Sequence, residues 1–423
     1  MLTAISRYGA RVYERTQQLI ADVERRGQLI EGPHVAAFEA AFAERLGVPA
    51  AVSASYGRMA FLYLLKALAL PPGSEIIFPS LTFWVVPELA RVAGLRPVFA
   101  DVDPDTFTLD PRAFERAISD RTRAVVPTHL WGMACDMDAI LAVAERHRLA
   151  VIEDCAHALG AHYRGRPVGT LGHAGFFSFQ TFKPLNTYGG GMAVSTDADL
   201  IARAAALARA EPFPSEARIR KKLFIGRVER IAIRPRPFTS TLYPALVVSS
   251  FFHTTPDVYL WEKVRSLSPL PEAYTERYSN VQAALGLASL DSLDGWTAAT
   301  QAHARRLDER LARVPGVRTP RVPADRDHVY YQYCIYAPDR AALVRHCLYR
   351  GVDLETLHVD VCPRLELFAG ERRLESPGAE RAADAVQVPV YASLTDAQIE
   401  RIADVVEHAF ERKAERGSLK PAA

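Results

Sequence analysis

The chain lacks a CxxC pair, an internal repeat, a strong charge of one sign and an uninterrupted apolar run at its start. Its five cysteines, Cys135, Cys155, Cys334, Cys347 and Cys362, lie far apart. That spacing points to neither a zinc site nor a disulfide framework, and no metal is expected. Reduced cysteines in a cytoplasmic protein are the simplest reading. A formal net charge of +2 over 423 residues leaves no global footprint for nucleic acid. The opening MLTAISRYGARVYERTQQLIADVERR is broken by charge throughout and does not read as a signal peptide.

What is present is an ordinary globular composition, 49% hydrophobic and 24% charged, in a length that suits a large α/β domain with a smaller partner. Apolar residues recur at helical spacing over 35–46, and Gly47 stops the run. Short apolar strands then alternate with helices. Strands are expected at 75–80, 97–103, 124–130, 150–156, 174–179 and 191–196, and a helix at 137–149. Buried strands joined by helices predict a mostly parallel central sheet flanked by helices, with ligand chemistry beyond the strand carboxyl ends. Helices are expected again at 281–293, 301–315, 340–351 and 395–413, with an alternating strand at 329–337 and a frayed end. The expected division is a large domain over 1–280 and a linking helix with a small α/β domain over 281–423.

Residues 212–271 break the alternation. Within them 218–236 carry eight Lys/Arg and one Glu, and 237–256 then carry no formal charge apart from His253. The segment reads as an insertion. A basic run followed by an uncharged one fits peripheral contact with an anionic membrane through 218–252; a dimer-interface or site-covering segment is the other reading. Pro237, Pro244 and Pro256 argue against a membrane-spanning helix.

Several residues at the expected sheet edge can carry chemistry. Asp154 ends an apolar strand and can pair with a cationic ring nitrogen, or merely cap a helix. His157 can stack on or donate to a planar ligand, or be structural. Lys183 sits between Phe182 and an apolar-to-glycine stretch. Desolvation there lowers an amine's pKa and frees it for Schiff-base formation, unless it is a solvated loop lysine. Ser178 can hold a phosphate. Gly57 and Arg58 stand at the start of an apolar helix, where N–H groups and the dipole suit an anion. Phe83 and Trp84 follow a strand, and one of them can stack on an aromatic ring. Each residue alone has a bland explanation, but together they match the needs of pyridoxal phosphate.

The motifs PSLTFWVV, RPVFADVDPDTFTLDP, HLWGMACDMDAI, VIEDCAHALGA, FFSFQTFKPLNTYGGGMAVSTD and VQAALGLASLDSLD occur in that order. They resemble the DegT/DnrJ/EryC1/StrS family of pyridoxal phosphate-dependent sugar aminotransferases, of fold type I. The resemblance implies that Lys183 is the Schiff-base lysine and Asp154 the partner of the pyridine nitrogen. It puts His157 near the cofactor's phenolic oxygen, Ser178, Gly57 and Arg58 at the phosphate, and Phe83 against the ring. It implies ping-pong transfer from glutamate to a nucleotide-linked keto sugar by a homodimer. Other acceptors compatible with the residues are a cyclitol, a non-sugar ketone or a lipid-linked ketone, and an idle regulator of the same fold is the contrasting class. Four places depart from the family pattern. Arg58 stands where Thr is usual, YGGG where GEGG is usual, Thr275 where a cross-subunit Asn is usual, and His358 a few places before the family's C-terminal His.

Overall fold

The computed structural model describes residues 3–9, 11, 13–251, 262–356 and 359–417, with side chains through 410. Seven strands build the main sheet: β1 (Ala50–Ala54), β2 (Glu75–Pro79), β3 (Arg96–Ala100), β4 (Thr122–Val125), β5 (Ala150–Asp154), β6 (Ala174–Ser178) and β7 (Gly191–Ser195). Their spatial order is β1-β7-β6-β5-β4-β2-β3. Pairings from β3 through β6 are parallel, whereas β7 runs antiparallel to both β1 and β6. The chain is thus an α/β protein with a mostly parallel central sheet flanked by helices, as the alternation predicts.

The pleat divides neighbouring side chains between two cores. Ile77, Val98, Val125, Val151, Phe177 and Met192 point into one cluster. Their chain neighbours Ile76, Phe99, Ala124, Ile152, Phe176 and Ala193 belong to the other. Helices α1 (His34–Leu46) and α3 (Met137–His147) cover the first face, and α2 (Gly57–Leu68) and α4 (Ala198–Ala210) the second. Helix α1 inserts Phe38 and Phe42 against Phe177 and Phe179, and Gly47 ends it at φ 66°.

Every expected strand ends earlier than predicted, and two shorten most. The strand predicted over 124–130 ends at Val125, because Pro127 brings no N–H to the ladder and Leu130–Gly132 turn as a 3₁₀ segment. The strand predicted over 329–337 shortens to β8 (Tyr333–Ile335), followed by a single antiparallel bridge from Tyr336 to Arg318. Upstream of it, Tyr330 takes φ 49°, and the Val329 and Gln332 N–H groups donate to Gly132 and Trp131.

Within the inserted segment, three helices form, α5 (Glu216–Ala232), α6 (Pro235–Ser240) and α7 (Leu242–Phe251), while 262–271 run as irregular chain. Residues 252–261, with His253 and Pro256, lie outside the described residues. Helices α8 (Asn280–Leu290) and α9 (Leu293–Leu311) follow; the second begins well before the expected 301 and stops before 315. The last sheet has the order β8-β10-β9, with β9 at Glu355–Thr356 and β10 at Val386–Val388. It packs with α9, α10 (Arg340–Leu348) and α11 (Asp396–Gly417) in a core of its own that includes Leu307, Leu343 and Ile402. Ile5 joins this core, and Arg7 ties it to the N-terminal segment by bonds to Asp353 and Glu355 at 2.7 and 3.1 Å.

Candidate active site

The carboxyl edge of the main sheet opens into a cavity of about 370 Å³. All seven sequence-predicted residues line it: Gly57 and Arg58 from the start of α2, Phe83 beyond β2, Asp154 and His157 from the end of β5, Ser178 from β6 and Lys183 from the loop before β7. The same wall includes four that sequence reasoning missed, Tyr8, Thr128, Trp131 and Tyr331.

The glycines bring the first turn of α2 into this wall. A Cβ on Gly191 would lie 2.2 Å from the Gly57 Cα, and one on Gly57 would lie 2.7 Å from the Phe177 carbonyl oxygen. Only bare backbone lets β7, β6 and the N-terminus of α2 meet this closely. No side chain caps that N-terminus, so its first N–H groups face the cavity region with the positive end of the helix dipole. Tyr188 stands where the family's first glycine is usual and keeps the left-handed backbone, φ 59°. Its ring packs against Gly226 of α5, where a Cβ would come within 2.1 Å of it.

Burial governs the ionisable groups. Desolvation pushes the Asp154 carboxyl up to about 6, against the Ala156 N–H, Lys183, His129 and Thr128, which all favour the anion. Desolvation lowers the Lys183 amine to about 7; Asp154 opposes the shift and Arg58 adds to it. The Lys183 Nζ lies 4.7 Å from the centroid of the Tyr331 ring. His157 stacks on Tyr331 and Trp131 at centroid distances of 4.2 and 5.4 Å. Burial, reinforced by Lys183, drives its pKa well below the ordinary histidine value. Its buried Nδ1 has no hydrogen-bond partner among the described residues.

Arg58 is already engaged. Its guanidinium pairs with Glu262 and donates to the Tyr274 hydroxyl, and it lies 5.5 Å from the Phe83 ring centroid. Thr275, at the position of the family's cross-subunit Asn, is half-buried and donates to the Glu272 carbonyl at 3.2 Å. His358 lies outside the described residues.

A buried pair holds the edge behind Asp154. Glu153 accepts from the N–H groups of Gly169, Leu171 and Gly172 at 2.8, 2.7 and 2.7 Å. The Cys135 N–H donates to His129 Nδ1 at 3.0 Å, which leaves Nε2–H to donate to Glu153 at 2.9 Å. With Cys155 these residues bring three metal-type donors within 4.8 Å of one another, but the Glu153 oxygens are already filled by hydrogen bonds.

The DegT/DnrJ/EryC1/StrS aminotransferase family model matches residues 11–225 and 255–407. The chain belongs to this family. It is 31% identical to the GDP-perosamine synthase of Caulobacter vibrioides over 379 residues, 88% of each chain. It is 30% identical to a "pleiotropic regulatory protein" of Geobacillus stearothermophilus over 92% of this chain and 94% of that one. Among solved structures it superposes on DesI, determined with its TDP-sugar product, at a TM-score of 0.74 and 28% identity, covering 98% and 95% of the two chains. The protein is therefore an aminotransferase, and the cavity is where its fold gathers ionisable groups.

The residues present fit pyridoxal phosphate. A phosphate suits the uncapped start of α2 and the Ser178 hydroxyl, a ring nitrogen suits the buried Asp154, and a ring oxygen suits the orphaned His157 Nδ1.

Proposed function

We propose that the protein is a pyridoxal phosphate-dependent aminotransferase moving an amino group from glutamate to a nucleotide-linked keto sugar, as a cytoplasmic homodimer with a ping-pong cycle. The large domain over 1–280 and the small one over 281–423 belong to the same reading. The observation that carries it is the meeting of Lys183, Asp154 and the first turn of α2 in one cavity.

In this reading Gly57, Arg58 and Ser178 hold the phosphate, Phe83 packs against the ring, and Lys183 is the attachment point. When bound, the cofactor supplies an electron sink for the charge left on a substrate carbon that loses its proton. Asp154 holds a proton on the ring nitrogen by keeping its carboxylate beside it. A cation there restores the charged form of a carboxyl that burial otherwise pushes up to about 6. Lys183 removes the proton from the donor's α-carbon. An amine near 7 is neutral often enough to accept that proton and acidic enough to return it. His157, neutral and stacked between aromatic rings, orients without adding charge.

The test is direct. The loaded protein is reduced with borohydride and digested, and the modified peptide should carry its label on Lys183. In a separate, unreduced sample, adding glutamate should bleach the visible band and release one 2-oxoglutarate per site. Label on another lysine, or no response to any amino donor, rejects the reading. Light scattering on the loaded protein tests the dimer.

A further inference from the structure

We propose that α5, α6 and α7 form a docking surface for an anionic lipid bilayer. The family model leaves residues 226–254 unmatched, so most of this surface lies outside the family pattern. Helix α5 has two opposed stripes. Ile219, Leu223 and Gly226 are buried against the body of the protein, at positions four and three apart. Phe224, Ile225, Val228 and Ile231 stand on the other side and are exposed, Phe224 by 66%. A helix that is apolar on its solvent face requires an apolar partner.

Charge decides which partner. Lys221, Arg227, Arg234 and Arg236 are exposed and form no ion pair among the described residues. Lys221 lies one turn before Phe224 and Ile225, and Arg234 one turn after Ile231, so cations flank the apolar stripe. Helix α7 carries no charge, buries none of its residues and exposes Leu242, Val248 and Phe251. A second copy seated on this face by two-fold symmetry would press the same cations against themselves. An anionic headgroup layer neutralises them while its acyl boundary takes the apolar side chains.

The 10 described residues of α7 cover, at ~1.5 Å each, about half of a ~30 Å hydrocarbon core. No helix among the described residues is long and apolar enough to cross a membrane. Helix α5 also borders the cavity: Glu229 lines it, and the Lys222 Nζ lies 4.8 Å from the centroid of Tyr56, another lining residue. A bilayer on the outer stripe therefore sits one helix away from the cavity.

The cofactor-loaded, full-length protein should sediment with vesicles of equimolar phosphatidylglycerol and phosphatidylcholine. It should stay in solution with phosphatidylcholine alone, and high salt should release it. Each cation near an anionic surface contributes roughly fivefold to partitioning, so R227S/R234S should bind about 25-fold more weakly. F224S/V228S should also lose binding, while the glutamate half-reaction and the molar mass of both variants stay unchanged. The proposal is overturned if the parent protein fails to sediment with the anionic vesicles, or binds neutral ones equally. It is also overturned if F224S/V228S alters the molar mass but binds vesicles like the parent, which would assign the face to a second copy.

Discussion

Burial moves Lys183 and Asp154 toward each other on the pH scale, the amine down to about 7 and the carboxyl up to about 6. The unfolded chain binds the lysine proton up to its ordinary value near 10.5, while the folded chain releases it near 7. Between those values the unfolded state carries more protons, so stability rises with pH. Below the window the cost of burying the charge is fully present. The cofactor-free Lys183→Met variant should therefore melt higher than the parent at pH 6–7, and the gap should narrow as pH rises toward 10. Thermal unfolding of both proteins across that range checks the sign. In the loaded enzyme, Lys183→Ala should slow the glutamate half-reaction by at least about a hundredfold, the usual scale for losing a positioned acid–base group. Single-turnover absorbance measures it. Both residues were legible in the sequence because each sits at the edge of an apolar run. Tyr331 was not: its alternating aromatic neighbourhood reads as strand, and the positive φ of Tyr330 has no local signature. The Glu262 that occupies Arg58 comes from 204 positions away, beyond any local pattern.

Elements meet at the site through backbone contacts with no slack. Gly57→Ala would drive a methyl into the Phe177 carbonyl at 2.7 Å, where neither group is a flexible side-chain end. It should cost about 1–3 kcal/mol by chemical denaturation, the usual range for overpacking, and weaken pyridoxal phosphate binding in equilibrium dialysis. Glu153→Ala would strand three N–H donors and the His129 Nε2–H in the core. The loss should reach about 3–5 kcal/mol, and Glu153→Gln, which keeps an acceptor oxygen, should lose less. Urea titration of the two variants separates them. Strand existence was readable from apolar runs with turn residues between them. Strand ends were not readable where the chain stays apolar after pairing stops, as beyond Val125.

At the scale of the molecule, the N-terminal segment links the last sheet to the cavity wall, through Arg7 on Asp353 and Tyr8 on Phe182. Arg7 lies against Asp353 and Glu355, whose side chains are 3% and 1% exposed. Arg7→Ala would remove the guanidinium that pairs with the buried Asp353 at 2.7 Å and should destabilise the protein by about 3–5 kcal/mol in urea. Its neighbour Tyr8 stacks on Phe182 at 4.6 Å, next to Lys183, so the same variant should also release cofactor faster in a dilution experiment. The tie spans 346 positions of sequence. During synthesis the residues that wall one side of the cavity emerge first, and the carboxylates that fix them emerge near the end. A ribosome-bound chain can thus complete its parallel sheet and expose Lys183 long before that wall is locked. The sheet that anchors Arg7 can close only once Val386–Val388 have emerged, so that wall is the last to be fixed.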